Sequence, residues 1–189
     1  MKKSAILLAF VLLSAAPAFA QNQQFGILLG GSKRLYSHGD DKLNPNLPSD
    51  NFKFGSSVKE VYYGVILEPD TMFKIKLGQI NGKVGAVEAP GVGFSGVPVE
   101  GKIEHVEGII DYRFHEPFGS TGIFAGVGLY RADQNNGGTD TNYGFNAGVN
   151  GDFPMSRRYG VVVEGTYHWI NLPYRPRLLT VTGGLRVSF

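Results

Sequence analysis

The chain has no cysteine, so disulfides and thiolate metal sites are excluded. It also lacks an apolar run of the roughly 20 residues that a membrane helix needs. The best candidate, Ile6 to Leu13, is far shorter. Beyond it no apolar repeat of helical period persists, which argues against an α-helical domain. A surplus of one charge sign is missing too. Lys and Arg number 18 against 16 Asp and Glu, and Lys2 and Lys3 account for the whole difference. That balance points to no nucleic-acid partner.

Lys2 and Lys3 precede the short apolar run, and Ala18-Phe19-Ala20 follows it as an A-x-A cleavage site. This is the pattern of a secretory signal peptide over residues 1–20, cut before Gln21. A retained membrane helix is the alternative, disfavoured by its length. Residues 21–189 then form one domain with no formal net charge.

What the chain does have is alternation with period two, interrupted by turn residues. The last stretch, Leu179 to Phe189, shows it clearly. Leu179, Val181, Leu185, Val187 and Phe189 share one parity, and Thr180, Thr182, Gly184, Arg186 and Ser188 the other. Successive side chains of a strand point to opposite faces, so this is a ribbon with one apolar and one polar side. Similar ribbons are expected at about Gln24–Tyr36, Phe52–Glu68, Thr71–Ile80, a stretch ending at Phe114, Thr121–Tyr130, Asn142–Phe153 and Tyr159–Trp169. The connections between these eight strands alternate long and short, with an intermediate one last. The longest Gly- and Pro-rich loop is expected over Asn81–Val99.

Alternation alone also fits a soluble sandwich, whose apolar faces turn inward. Here the polar faces carry charged groups and many glycines, too little apolar volume for a sandwich core. An inverted arrangement resolves this, with lipid on the apolar faces and charges and glycines inside. Lipid offers no partner to an open strand edge, so the sheet must close. The expected fold is therefore an all-β, eight-stranded, antiparallel transmembrane up-and-down barrel. Its aromatics sort into two belts. Phe73, Phe114, Phe153, Tyr159 and Phe189 lie near the short turns, and Tyr143, Tyr167 and Trp169 near the long loops. Such girdles mark the two membrane interfaces.

This architecture and the terminal Leu185-x-Val187-x-Phe189 pattern resemble the small bacterial outer-membrane barrels of the OmpA/OmpX kind, opacity-type surface proteins included. The resemblance spans about Gln24 to Phe189. It implies a monomer in the outer membrane, in contact with lipid and lipopolysaccharide, with a structural or adhesion-like role carried by its outer loops. It also implies that the barrel-assembly machinery reads Leu185, Val187 and Phe189.

The inward parity holds Glu60, Lys74, Lys76, Glu107, Asp111, Arg113, Glu164 and Arg186. Neighbouring strands place Lys74 and Lys76 between acids, and Glu164 is expected to face Arg186. These charges either line a narrow pore for small solutes or ions, or pair with one another as lumen plugs. Buried charges persist only when paired, and eight strands enclose just enough room for side chains, so the plug is preferred. A lipid A-modifying enzyme is a third class. His168 carries lumen parity, but no Ser stands two places away on its strand, so the hydroxyl that such a base needs is not evident. No catalytic, cofactor or metal residue is assigned. His38, Asp40 and Asp41, and the Asn- and Gly-rich stretch 133–140, read as solvated turns. Val92, Phe94 and Val97 make the second outer segment, Gly82 to Gly101, unusually apolar, which either extends the β-ribbons beyond the membrane or marks a candidate contact for an extracellular partner, the preferred interaction site. As a test of parity, Val163→Arg is expected to disrupt assembly more than Thr166→Arg, placed near the mouth.

Overall fold

The computed structural model describes residues 23–35, 56–87, 97–134, 139–171 and 177–189. The signal peptide expected at 1–20, the loop residues His38, Asp40 and Asp41, and the apolar Val92 and Phe94 lie outside them. Eight strands follow in order: β1 Gln23–Leu35, β2 Ser56–Glu68, β3 Thr71–Val87, β4 Val97–Glu116, β5 Gly119–Gln134, β6 Thr139–Pro154, β7 Tyr159–Ile170 and β8 Arg177–Ser188. Each pairs antiparallel with the next, and β8 closes on β1 from Gln24↔Ser188 to Leu35↔Arg177. No strand is left as an edge, the condition hydrocarbon imposes on a sheet.

One end of the barrel is drawn tight. Pro69-Asp70 joins β2 to β3, and Pro117-Phe118 joins β4 to β5. Proline suits such corners because its φ is already fixed and it has no N–H to leave unpaired. Between β6 and β7, Met155 and Ser156 donate their N–H groups to the Tyr159 carbonyl at 2.9 and 3.0 Å. At this same end the Phe189 N–H donates to the Gln23 carbonyl, 3.0 Å.

The other end departs from expectation. The segment read as a loop over Asn81–Val99 is ribbon at both its ends, because β3 continues to Val87 and β4 starts at Val97, paired from Gly82↔Gly101 to Val87↔Val97 across a bulge between Lys83 and Gly85. Its glycines leave the pairing intact, and the bulge absorbs the irregularity. Likewise β5 reaches Gln134 and β6 begins at Thr139, so much of the polar stretch 133–140 is strand. β2 is described from Ser56, and its expected start at Phe52 lies outside the described residues.

The barrel is inside-out. Outward residues along mid-strand are aliphatic and open, among them Ile27, Leu77, Ile110, Val127, Val149 and Leu185, each 47–64% exposed. Phe73, Phe114, Phe153, Tyr159 and Phe189 are exposed towards the tight end, and Tyr143 and Trp169 towards the loop end, with Tyr167 half-buried beside them. Arg177 lies over the Trp169 ring, 5.7 Å from its centroid. Above the apolar zone at the loop end the outward parity turns charged, with Lys102, Glu104, Arg131 and Asp133 joined by ion pairs of 2.7–3.4 Å.

Inside, large and small side chains interlock, the arrangement that fills a small barrel. Gly26 stands opposite Tyr62, and a Cβ there would strike its ring. Gly160 stands opposite Arg186 and leaves room for the guanidinium. The interior is not uniformly polar, however. Val58, Ile80, Ile103, Tyr130, Ala132, Ile170 and Leu178 form a buried apolar plug towards the loop end, and Leu28, Tyr62 and Val162 a smaller cluster below. An interior of glycines and charges alone is thus corrected. Small barrels are filled by side chains of any kind that fit, and apolar ones remove the need for partners.

Candidate functional site

Alternation brings the charged residues to the lumen, and strand register decides who meets whom. Glu60, Lys74, Lys76, Glu107, Asp111, Arg113, Glu164 and Arg186 are all buried there. From the tight end upward they form one continuous ladder. Arg186 Nε donates to both oxygens of Asp152 at 2.7 Å. Arg113 bridges Asp152, at 3.2 Å, and Asp111, at 3.1 Å. Asp111 accepts from Asn150 at 2.8 Å and pairs with Lys74 at 3.0 Å. Lys74 and Lys76 then share Glu164, with 2.8 Å from Lys74 and a shorter contact from Lys76. Lys76 also reaches Glu60, 3.5 Å away.

Both ammoniums additionally lie over the Phe124 ring, 5.2 and 5.4 Å from its centroid. A charge in a low-dielectric interior is tolerated where partners surround it on several sides, and the ladder supplies them.

Glu164 does not face Arg186. In the β7–β8 register Glu164 stands opposite Thr182, and Arg186 opposite Gly160. Arg186 needs the space a glycine leaves, and it finds Asp152 on β6 instead. Glu164 reaches across the lumen to β3. Thr166, expected near the mouth, is 1% exposed and deep inside.

The ladder continues into a second group that the sequence analysis did not assemble. His105 lies two residues before Glu107 on β4, on the same inward parity, and its Nδ1 is 2.8 Å from Glu107 Oε1. That oxygen also meets Tyr130 Oη of β5 at 2.5 Å and His168 Nδ1 of β7 at 3.1 Å. His168 Nε2 is 3.2 Å from Thr180 Oγ1 of β8, whose hydroxyl donates to the Thr166 carbonyl at 3.4 Å. Gly78 provides the space, since a Cβ there would meet His105 Nε2 and the Glu60 side chain. The parity of His105, Asp152 and Tyr130 was open to reading from the sequence, and so was the closeness of His105 to Glu107 on β4. The contacts of Glu107 with His168, of His105 with Glu60 and of Asp152 with Arg113 and Arg186 were not, because they join strands two or three places apart around the barrel.

Thr180, His168 and Glu107 thus stand in the order hydroxyl, imidazole, carboxylate. A hydroxyl on the neighbouring strand takes the place of the serine that β7 lacks. The three are at most 1% exposed beneath the apolar plug. A nucleophile needs its substrate in attacking position, and this lumen offers no room for an acyl chain there. An open space lies at the tight end, a vestibule of about 340 Å³ whose lining includes Met72, Arg113, Asp152 and Arg186.

Of the apolar loop candidates, Val97 is the first residue of β4. Leu185 and Phe189 point outward and are exposed, and Val187 is half-buried on the same side.

No family model matches the chain, and no curated protein does. Solved structures do. Neisserial surface protein A superposes with a TM-score of 0.64 at 14% identity, covering 88% of this chain and 97% of that one. The N-terminal β-barrel domain of Pseudomonas aeruginosa OprF gives 0.52 at 12% identity, covering 89% and 98%. At these identities the likeness is one of fold. The chain has the fold of these outer-membrane barrels, eight antiparallel strands closed up and down.

Proposed function

We propose that this protein is an integral outer-membrane barrel with a structural and surface-interaction role, its outer segments serving as the contact surface and its lumen serving as a brace. The observation that supports this most is the filled interior. A ladder of paired charges runs up the lumen, and an apolar plug seals it at the loop end. A pore would need a continuous aqueous path, and an acyl-chain enzyme would need a cleft reaching His168. The tight turns are assigned to the periplasm and the segments 36–55 and 88–96 to the outside, following the length rule for such barrels. Lipid and lipopolysaccharide then surround the aliphatic belt, with the barrel as a monomer delivered by the assembly machinery.

The test is a binding assay with the folded barrel in lipid nanodiscs. The comparison protein has residues 37–54 and 88–96 replaced by short Gly-Ser turns. Both should keep the heat-dependent mobility shift of a folded barrel and fractionate with the outer membrane, and only the parent should bind cell surfaces. Equal binding by both would refute the role given to these segments. Acyl-chain loss from lipid A on incubation with the purified barrel would favour an enzyme instead.

A further inference from the structure

Among the described residues the buried lumen holds five carboxylates, Glu60, Glu107, Asp111, Asp152 and Glu164, against four fixed cations, Lys74, Lys76, Arg113 and Arg186. Up to Glu60 the ladder alternates in sign. Beyond it, the positions where cations would fall are taken by His105 and His168. Both ring nitrogens of His105 face carboxylates, Nδ1 towards Glu107 at 2.8 Å and Nε2 towards Glu60 Oε1 at 3.6 Å. A neutral imidazole carries one proton, so it must turn a lone pair on one of these anions. His168 has the same difficulty. Thr180 gives its own proton to the Thr166 carbonyl and so accepts from His168 Nε2. That leaves the Nδ1 lone pair facing Glu107 Oε1 at 3.1 Å and the Tyr130 hydroxyl at 3.1 Å, whose proton goes to that same Glu107 oxygen 2.5 Å away.

We propose that His105, Glu107 and His168 bind a divalent metal ion of the zinc class inside the barrel, joining the opposite walls β4 and β7. Their ligating atoms lie within 4.8 Å of one another. Ligands on a tetrahedral zinc with bonds of about 2.0 Å sit roughly 3.3 Å apart, so the present separations from Glu107 Oε1 need widen by only a few tenths of an ångström. Two imidazoles and a carboxylate are donors suited to this ion.

The surroundings match as well. With Nδ1 of each ring on the metal, His105 directs Nε2–H towards the Glu60 carboxylate, and His168 directs its own to Thr180. Second partners of this kind fix the tautomer and orientation of metal-binding imidazoles. They also explain two orphans. Neither Glu60 oxygen accepts a hydrogen bond, and neither does Glu107 Oε2. Glu60 becomes the acceptor for His105, and Glu107 Oε2 is free to turn to the metal. The lumen position under the apolar plug means that the ion enters as the barrel folds.

The experiment refolds the full mature chain into detergent with zinc chloride, removes free metal on a chelating resin and counts zinc per heat-shifting barrel. One zinc per barrel is expected, with cobalt(II) in its place giving the intense visible bands of a tetrahedral nitrogen and oxygen site. H105Q/H168Q should hold less than a tenth as much zinc. E60Q, which keeps all three ligands, should bind about 10- to 100-fold more weakly. A folded wild-type barrel without zinc overturns the proposal. So does zinc retained equally by H105Q/H168Q, or six-coordinate pale cobalt in the wild type.

Discussion

Glu164 shows what one side chain carries in this fold. It is 1% exposed and is shared by two lysines arriving from the opposite wall. Removing its charge leaves both ammoniums short of a partner in a medium that cannot solvate them. Breaking such a buried pair from one side costs about 3–5 kcal/mol, while replacing the partners together with apolar groups costs far less. Glu164→Gln is therefore expected to lower the temperature at which the barrel loses its heat-shifted mobility, and Glu164→Leu with Lys76→Met to recover much of that loss. If the single and double variants melt alike, the ladder is not the brace described here. The charged patch at the loop end behaves differently because water reaches it. There Thr139 donates to Asp133 at 3.0 Å, and Arg131 does so at 3.1 Å. The Thr139 hydroxyl, helped by Arg131 and Lys102, holds the Asp133 carboxyl below the ordinary aspartate value. With the folded value depressed, the clasp is intact above the unfolded value and is lost as pH falls through the folded one. Amide exchange at the β5–β6 outer end should quicken with acid below pH 3.8 relative to Asp133→Asn. A parallel response of the two would remove Asp133 as the cause.

Strands set which face meets lipid, and here substitution reads parity directly. Val163 of β7 points outward at 45% exposure, whereas Ser120 of β5 lines the vestibule. An arginine in the lipid zone costs about 2–4 kcal/mol near the midplane. Val163→Arg should depress the yield of folded barrel, and Ser120→Arg should be accepted because its head reaches water. Thr166→Arg is no longer the proper control, since that site lies inside a filled lumen and would be overpacked. Equal folding yields for Val163→Arg and Ser120→Arg would contradict the inside-out arrangement. Parity was legible in the sequence because a strand's period is fixed by its backbone, so Lys74, Lys76 and Glu164 could all be placed inside. Register was not, and so Arg186 was set against Glu164 when its true partner is Asp152. The strand extension to Gln134 escaped notice because polar residues there mimic loop composition, whereas that to Val87 was one of two readings its apolar residues allowed. The contacts of His168 with Glu107 and of His105 with Glu60 depend on the closed circumference, which no local pattern carries.

At the scale of the whole barrel, two barriers stand in series along the lumen axis. An ion entering from the vestibule first meets Arg113, Arg186 and Asp152, already satisfied by one another, and then the lysine pair locked on Glu164. To pass it would have to exchange its hydration for groups that have no free valence to offer. Past His168 it meets the apolar plug around Ile80, Ile103 and Ile170, whose side chains offer it no ligand. Desolvating an ion without replacement ligands costs many kcal/mol, so either barrier alone suffices to block conduction. The wild-type barrel is expected to be silent in planar bilayers, and Ile103→Ala should leave it silent because the charge ladder below remains. Only joint loss of both barriers, Ile80→Ala, Ile103→Ala and Ile170→Ala together with Lys76→Ala and Glu164→Ala, should give resolved current steps. Steps from the wild type, in protein shown by its mobility shift to be folded, would mean that the ladder parts far more readily than its close ion pairs imply, and the lumen would then have to be regarded as a gate.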